Sequence, residues 1–586
     1  MSWKQRTVDC PMSIINSQKA NCKNCYKCVR VCPVKSIKVE NHQAKIIEHD
    51  CIFCGICVLE CPQGAKVVPS ELEKVKSLLN GEDPVILSLA PSYYGAFDVS
   101  DTKKFVGWLK ALGFFGVAET SAAAAYVTAE YYELMKKNEQ KNIITTSCPS
   151  ANRLIETYYP SLVDQMAPVV SPMIAHGRLL KQAYPHAKVV FAGPCIAKKE
   201  EAQDIRHSSE IDAVLTFEEL DAWINACGYV VEKAPPATFL NPSSKILRMY
   251  PVAEGILESI RSRAGGDMGD WKLLSVSGKE NCQLLCKSLE RGELNHCVIE
   301  MNICEDGCIN GPKTVGDPAS RFVKKGQIRS YAAEDCDVFP PLVEDISLGK
   351  LFMDCSSKED LPDEETIRRL LAKIGKDTPE KELNCGSCGY PTCRDKVIAV
   401  YQNKAEWNMC VPYMRERAES LSNYVMAQSP EIIVIVNDEM EILEFNAAAE
   451  RAFRMSRNEA VQKNLYEIFD STDFQIVFDE KQSIQNKTVE YPEYGITTQQ
   501  NIVYVPKENV VIGMFRDVTK EVEEEERKFK LRVESMEMAQ KVIDKQMVAA
   551  QQIAFLLGET TAETKVTLTQ LKDMMVKKEG EESEGQ

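Results

Sequence analysis

Long apolar runs are missing from this chain. No stretch of ~18 consecutive apolar residues occurs, so a membrane-spanning helix is not expected. The opening residues, Met-Ser-Trp-Lys-Gln-Arg, contain no apolar core or cleavage site, and no signal peptide is expected. Positive charge is also short. Lys and Arg number 70 against 86 Asp and Glu, leaving a formal charge of −16, which argues against bulk nucleic-acid binding. Histidine is scarce at six, none falls beyond His296, and no cysteine falls beyond Cys410. The C-terminal part therefore has neither imidazole nor thiol to offer a metal. What remains, 44% apolar and 27% charged residues, is the balance of an ordinary globular protein, and 586 residues are too many for one core.

Cysteine is what the chain has in excess. Its 23 cysteines cluster at short fixed spacings. Without a secretion signal, that usage points to metal ligands and not to a disulfide framework. A reducing cytoplasm is expected, in an anaerobic or micro-oxic cell.

Near the N-terminus, Cys22-x2-Cys25-x2-Cys28-x3-Cys32-Pro33 is followed by Cys51-x2-Cys54-x2-Cys57-x3-Cys61-Pro62. This is the bacterial two-cluster ferredoxin spacing, in which each fourth cysteine ligates the other cluster. One 4Fe–4S cluster would take Cys22, Cys25, Cys28 and Cys61, the other Cys51, Cys54, Cys57 and Cys32. Zinc prefers paired CxxC motifs over two tetrads ending in Cys-Pro. Lys19, Lys23, Lys27, Arg30, Lys35 and Lys38 make the module basic, suited to docking an acidic ferredoxin-type electron carrier; a solvated basic face is the alternative. Cys10 lies outside the pattern and is assigned nothing.

From about residue 81 short apolar strands alternate with helices, which is α/β logic. Strands are expected at 85–89, 143–146 and 189–192, and helices at 103–112 and 122–136. Three specialised loops hold cysteines: Thr145-Thr146-Ser147-Cys148-Pro149-Ser150, Gly193-Pro194-Cys195-Ile196-Ala197-Lys198, and residues 300–311 with Cys304 and Cys308. Each follows an apolar strand, where α/β folds gather their sites. Four thiolates from three loops make a cage for an iron–sulfur cluster. A further set, Cys385-x2-Cys388-x4-Cys393-x16-Cys410, sits among glycines and a proline, its last cysteine expected to return from a helix over 394–408. It reads as 4Fe–4S, with zinc as the alternative.

Beyond residue 415, hairpins are expected at 432–445 and 501–515, with Asn446 capping a helix over 447–453. This order resembles a PAS domain, down to the Asp-x-Thr exit at Asp517 and Thr519. With no histidine or cysteine there, a haem is not expected; a non-covalent flavin or an empty pocket stays open. Val522, Phe529, Met536, Ile543, Ala550 and Leu557 then recur every seven residues. Such a stripe argues for a parallel coiled coil and a homodimer; a single helix packed on its own domain is the alternative. Gly558 is expected to end it, a last helix to span 562–576, and residues 577–586 to be disordered.

In its three loops and its domain order the chain resembles the iron-only (FeFe) hydrogenases, specifically the sensory kind with a PAS domain, over essentially its whole length. The resemblance implies that Cys148, Cys195, Cys304 and Cys308 hold the 4Fe–4S half of an H-cluster. By the same match Cys308 bridges to a two-iron subsite carrying CO, cyanide and a dithiolate with an amine, with Ala90, Pro91, Gly193 and Pro194 around it. Lys198 would donate to an iron-bound cyanide; the alternative is a surface charge like Lys199. Glu300 would lie buried near the cluster and orient a loop, or else serve as a helix-end carboxylate.

The departures matter too. Ser147 stands where the family usually has a proton-relaying cysteine, and a hydroxyl titrates far above a thiol. Gly193 replaces a methionine, which is expected to open space by the two-iron subsite, and Pro312-Lys313 replaces glycines. Glu130 and Glu133 lie near the family's paired glutamates but out of register. Slow turnover with the binding site retained is the expectation.

The fold class expected is multidomain α+β and α/β. It comprises a ferredoxin-like module (1–80), an H-cluster domain (81–345), a small Fe–S domain (346–415), a PAS domain (416–520) and a coiled-coil helix with a tail (521–586). The function expected is hydrogen sensing, with H2 and protons as substrates and a separate phosphatase or kinase as the guessed output partner. The alternatives are a metabolic, ferredoxin-linked hydrogenase and a non-enzymatic iron–sulfur protein.

Overall fold

The computed structural model describes residues 13–97, 99–207, 209–228, 233–241, 243–316, 320–333, 342, 345–357, 361–557 and 566–574. Cys10, Gly558 and residues 575–586 lie outside these; of the helix expected over 562–576, residues 566–574 are described and helical. The chain divides into two compact units, residues 1–414 and 415–586. Among the described residues no helix is long and apolar enough to cross a membrane. The protein is multidomain, mixing parallel α/β layers with antiparallel sheets.

Two parallel sheets carry the first unit. One has the order Gly116–Glu119, Val85–Leu89, Lys188–Gly193, Ala213–Thr216. The other has Lys272–Ser277, Cys297–Asn302 and Ile143–Ile144. Strands covered on both faces must be apolar throughout, and Val85–Leu89 is buried at every position. The expected helices form as Thr102–Ala111 and Ser121–Lys137. In the latter, Ala123, Ala124 and Ala125 are fully buried, and their small side chains let the helix lie close against Pro172–Ala183.

The ferredoxin-like segment has two short antiparallel pairs, Asn16–Ser17 with Lys66–Val67 and Ile37–Glu40 with Gln43–Ile46. Arg153 fastens it to the larger domain, donating to the carbonyls of Glu48, His49 and Cys51. The helix expected over 394–408 is shorter. It runs Cys393–Tyr401, the chain turns at Asn403 (φ +57°), and Cys410 follows a 3₁₀ turn, Trp407–Met409. Tertiary docking decides this: the Lys404 carbonyl accepts from Val39 N–H at 2.9 Å and Lys404 Nζ pairs with the buried Asp50.

The second unit has a five-stranded antiparallel sheet in the order Ile442–Phe445, Ile432–Val436, Val510–Asp517, Ile496–Val505, Ile484–Tyr491. Both expected hairpins are present, and Asn446 Oδ1 accepts from Ala449 N–H to cap Ala447–Phe453. The strand Ile484–Tyr491 carries too little apolar alternation to be read from sequence, since Gln485, Asn486, Lys487 and Thr488 all face solvent. A single helix, Thr519–Leu557, follows the sheet. Its heptad stripe is open in the single chain, with Phe529 69% and Met536 46% exposed.

Candidate metal centre

The strand ends deliver the thiols. Cys297–Asn302 runs into Cys304 and Cys308, Lys188–Gly193 into Cys195, and Ile143–Ile144 into Cys148, the N-cap of helix Pro149–Tyr158. All four thiols line one cleft together with Cys54 of the ferredoxin-like segment. Burial pushes the Cys304 thiol well above its ordinary range, and Cys195, Cys148, Cys308 and Cys54 add to the rise. Burial likewise lifts Cys195 to about 11 and Cys308 to about 12. Cys308 is exposed by surface area and lines both this cleft and the adjoining cavity. Metal ligation would displace these protons, since a thiol binds a metal as thiolate.

Beside Cys308 lies a cavity of about 90 Å³. Ala90, Pro91, Pro194, Ser147 and Lys198 stand on its wall, together with Cys195. Gly193 does not open space as its small size suggested. The Phe191 ring fills the position: a Cβ on Gly193 would meet Phe191 Cε1 at 2.7 Å and Cζ at 2.9 Å. Phe191 itself lines the cavity.

Lys198 Nζ is held from behind. It donates to Glu201 Oε2 at 2.6 Å, to Ser171 Oγ at 2.8 Å and to the Ser147 carbonyl at 3.4 Å. Burial works to raise the Glu201 carboxyl, but Lys198 and Lys350 carry it below its usual range. Lys199 is no surface charge either; it is 2% exposed and paired with Glu219 at 3.0 Å.

Glu300 takes the helix-end role. Its oxygens accept from the N–H groups of Glu254, Ile256 and Leu257 at the start of helix Gly255–Arg263, and from Asn302 Nδ2 at 2.9 Å. Burial pushes this carboxyl up to about 7 against the pull of those backbone donors. Lining neither cavity, it ties the start of that helix to Asn302 at the end of the strand that leads to Cys304.

Glu130 and Glu133 are exposed, Glu133 pairing with Lys136. The residue beside Ser147 is Tyr131, fully buried, its hydroxyl 3.2 Å from Ser147 Oγ and accepting from Thr146 N–H at 3.0 Å. Burial raises the Tyr131 phenol, so Ser147 is backed by a group that holds its proton at neutral pH. Sequence reading passes over Tyr131 because one of three tyrosines in an alanine-rich helix looks like core.

In the ferredoxin-like segment, the thiol of Cys57 feels Cys51, Cys54 and Cys32, while Cys28 feels Cys22 and Cys25. Cys61 Sγ accepts from Ala65 N–H at 3.3 Å. Cys385, Cys388, Cys393 and Cys410 line a small cavity of their own.

Among the described residues no three His, Cys, Asp or Glu side chains converge as a single ion requires. The thiols instead ring cavities, the arrangement suited to a multi-atom group. Among the described residues four buried hydroxyls lack a hydrogen-bond partner, Ser92, Thr145, Ser244 and Tyr390; two of them stand at the candidate cluster sites, Ser92 on the cavity wall, 3% exposed, and Tyr390, 4% exposed, beside Cys388. A cluster sulfide or an iron ligand would supply the acceptor each of these two misses. The residues present fit iron–sulfur groups.

Comparison with known proteins agrees. Residues 83–312 match the family model for the C-terminal domain of the iron-only hydrogenase large subunit. Residues 14–62 match a 4Fe-4S dicluster domain, residues 382–412 an Fe-S cluster family and residues 430–520 a PAS domain. The NADP-reducing hydrogenase subunit HndD of Solidesulfovibrio fructosivorans is 27% identical, over 44% of this chain and 55% of that protein. Iron hydrogenase 1 of Clostridium pasteurianum is 25% identical, over 53% and 66%. The nuclear prelamin A recognition factor of Xenopus laevis is 22% identical, over 47% and 76%. The chain thus spans between half and two-thirds of the length of the two hydrogenases. Cysteine loops, cavity and family matches together make this an iron-only-hydrogenase-like protein, in which the hydrogenase domain is joined to a 4Fe-4S dicluster domain and a PAS domain.

Proposed function

We propose that this protein is a hydrogen sensor: it binds H2 at an H-cluster, turns it over slowly, and passes the redox change to its PAS and helical segment. Cys148, Cys195, Cys304 and Cys308 would hold the cubane, with Cys308 shared with the two-iron unit. Cys22, Cys25, Cys28 and Cys61, then Cys51, Cys54, Cys57 and Cys32, and finally Cys385, Cys388, Cys393 and Cys410 would hold three further 4Fe–4S clusters. When bound, the two-iron unit supplies the open metal position and the base that hydrogen cleavage needs. The chain's own part is to desolvate the cavity, to hold the Lys198 ammonium at its wall and to fix the thiol loops through Glu300.

One observation carries the sensory reading. At the cavity the chain offers Ser147 backed by the buried Tyr131 phenol, with no carboxylate behind it among the groups bonded to either hydroxyl. Such a wall retains binding and starves proton transfer, which suits detection over throughput. The open heptad stripe of Thr519–Leu557 supports a homodimer as the element a downstream kinase or phosphatase reads. Domain limits at 80, 345, 415 and 520 and a cytoplasmic location complete the proposal.

Infrared spectra of the maturated protein test it. CO and cyanide bands that shift under H2, with a low hydrogen-uptake rate, are expected. Absent bands would return the chain to a non-enzymatic iron–sulfur role, and fast uptake would make it a metabolic hydrogenase.

A further inference from the structure

The loop carrying Cys385 and Cys388 is seated on helix Lys27–Val31, which ends at Cys32. The approach demands glycine. Gly389 takes φ +93°, and a Cβ there would stand 2.9 Å from Val29 Cγ1 and 3.2 Å from the Arg30 nitrogen. One side chain closes the contact. Lys35 Nζ donates to the carbonyls of Val29 (3.0 Å) and Arg30 (2.9 Å) on the helix and of Gly389 (2.9 Å) on the facing loop. Three ammonium protons meet three acceptors, and the donor capacity is used up. The Lys35 backbone is left-handed at φ +52°, a conformation disfavoured for a non-glycine residue. The turn after Cys32-Pro33 is therefore bent in a way that aims this ammonium across the contact. Arg30 adds a second tie, donating to the Ser387 carbonyl at 3.2 Å. Burial holds the Lys35 ammonium below the usual lysine range; of the charged groups acting on it, Cys32, Cys388 and Asp395 favour the ammonium and Lys279 opposes it.

We infer that Lys35 is a positioning residue shared by two cluster sites, pinning the Cys385–Cys388 loop to the ferredoxin-like segment and placing one positive charge between the thiolates of Cys32 and Cys388. This rests on reading both cysteine sets as iron–sulfur ligands. It adds a direction to that reading. In the ligand assignment proposed above Cys32 shares a cluster with Cys51, Cys54 and Cys57, and Cys54 lines the main cleft. The Cys385 set is therefore coupled to the centre nearest the candidate H-cluster. A charge gained at one site is felt at the other through the cation they share.

The test uses the full chain, purified without oxygen, in wild-type, Lys35→Met and Lys35→Arg forms. Iron and acid-labile sulfide are counted first. Redox titration with dithionite, followed by electron paramagnetic resonance, then reads the cluster potentials. A Cys393→Ser reference identifies the signal of the Cys385 set. Hydrogen exchange of residues 384–393 reads the docking. With iron unchanged, Lys35→Met should lower the potentials of both the Cys385 set and the Cys32-bearing cluster, since a nearby cation favours the more negative reduced state. Exchange in the loop should quicken at least ten-fold. Lys35→Arg keeps the charge but not the three-carbonyl fit, so it should restore the potentials while exchange stays fast. Unmoved potentials and unmoved exchange in Lys35→Met would overturn the inference, and so would a Lys35→Arg protein whose potentials match Lys35→Met. Wild-type protein lacking the fourth cluster's iron would sink the cluster reading itself, while the exchange result would still decide whether Lys35 pins the loop.

Discussion

Replacing Lys198 by methionine isolates the charge that stands at the cavity wall. Lys198 Nζ lies 2.6 Å from Glu201 Oε2, the two side chains being 11% and 1% exposed. At that distance and an effective dielectric of about 20 the attraction is about 6 kcal/mol, much of it offset by desolvation. Removing the lysine leaves a buried carboxylate, which ordinarily costs about 3–5 kcal/mol. Glu201 keeps Ser171 Oγ at 3.0 Å and Lys350 Nζ at 3.9 Å, so the lower end applies, about 3 kcal/mol. Spread over the 414 residues of the first unit, at about 2.1 cal/mol/K per residue, this lowers the melting temperature by roughly 3 to 4 °C. The pH dependence follows from the carboxyl. In the wild type its pKa lies below the usual value, so the pair's stabilisation is present above the unfolded pKa of about 4.3 and is lost only as pH falls through the lower folded value. Without Lys198 burial dominates and the folded pKa rises. The variant should then gain stability as pH falls from 7 towards 5, and the gap to wild type should narrow. Calorimetry at matched iron content reads this, and a second substitution, Glu201→Gln, should recover most of the loss at pH 7. A Lys198→Met protein as stable as wild type at pH 7, or a deficit independent of pH, would refute the buried-pair reasoning.

Three further outcomes are expected. Ser147→Cys should raise hydrogen uptake about a hundred-fold, the low end of what a positioned proton donor contributes; an unchanged rate in an infrared-competent sample would remove proton transfer as the limiting step. Glu300→Ala strips the acceptors from three backbone N–H groups and should cost about 3 kcal/mol of unfolding free energy at about 1 kcal/mol or more per orphaned donor, together with loss of bound iron. Glu300→Gln should retain part of both. Phe529→Glu with Met536→Glu places charge on the exposed stripe of the long helix and should halve the sedimenting mass, with no effect if the helix does not pair.

Much of the chemistry was legible in the sequence because ligand spacing is a local property. Two cysteines four apart across Gly307, or a tetrad ending in Cys-Pro, can reach a cluster almost whatever the rest of the chain does. Strand identity was legible for the same reason: Val85–Leu89 and Lys188–Gly193 are apolar at nearly every position because both faces are covered. The PAS hairpins and the Asn446 cap likewise follow from short-range turn and capping rules.

Only the tertiary structure decided what stands between those local pieces. Gly193 promised open space, yet a ring two residues away turns into it. Lys198 carried the right charge, but its hold on Glu201 and Ser171 depends on elements packed around it. Tyr131 meets Ser147 across two elements, sixteen residues apart. Lys35 reaches Gly389 across 354 residues of chain. Spacing fixes which atoms can bind a cluster; the packing of distant segments fixes which charges, protons and rings surround it.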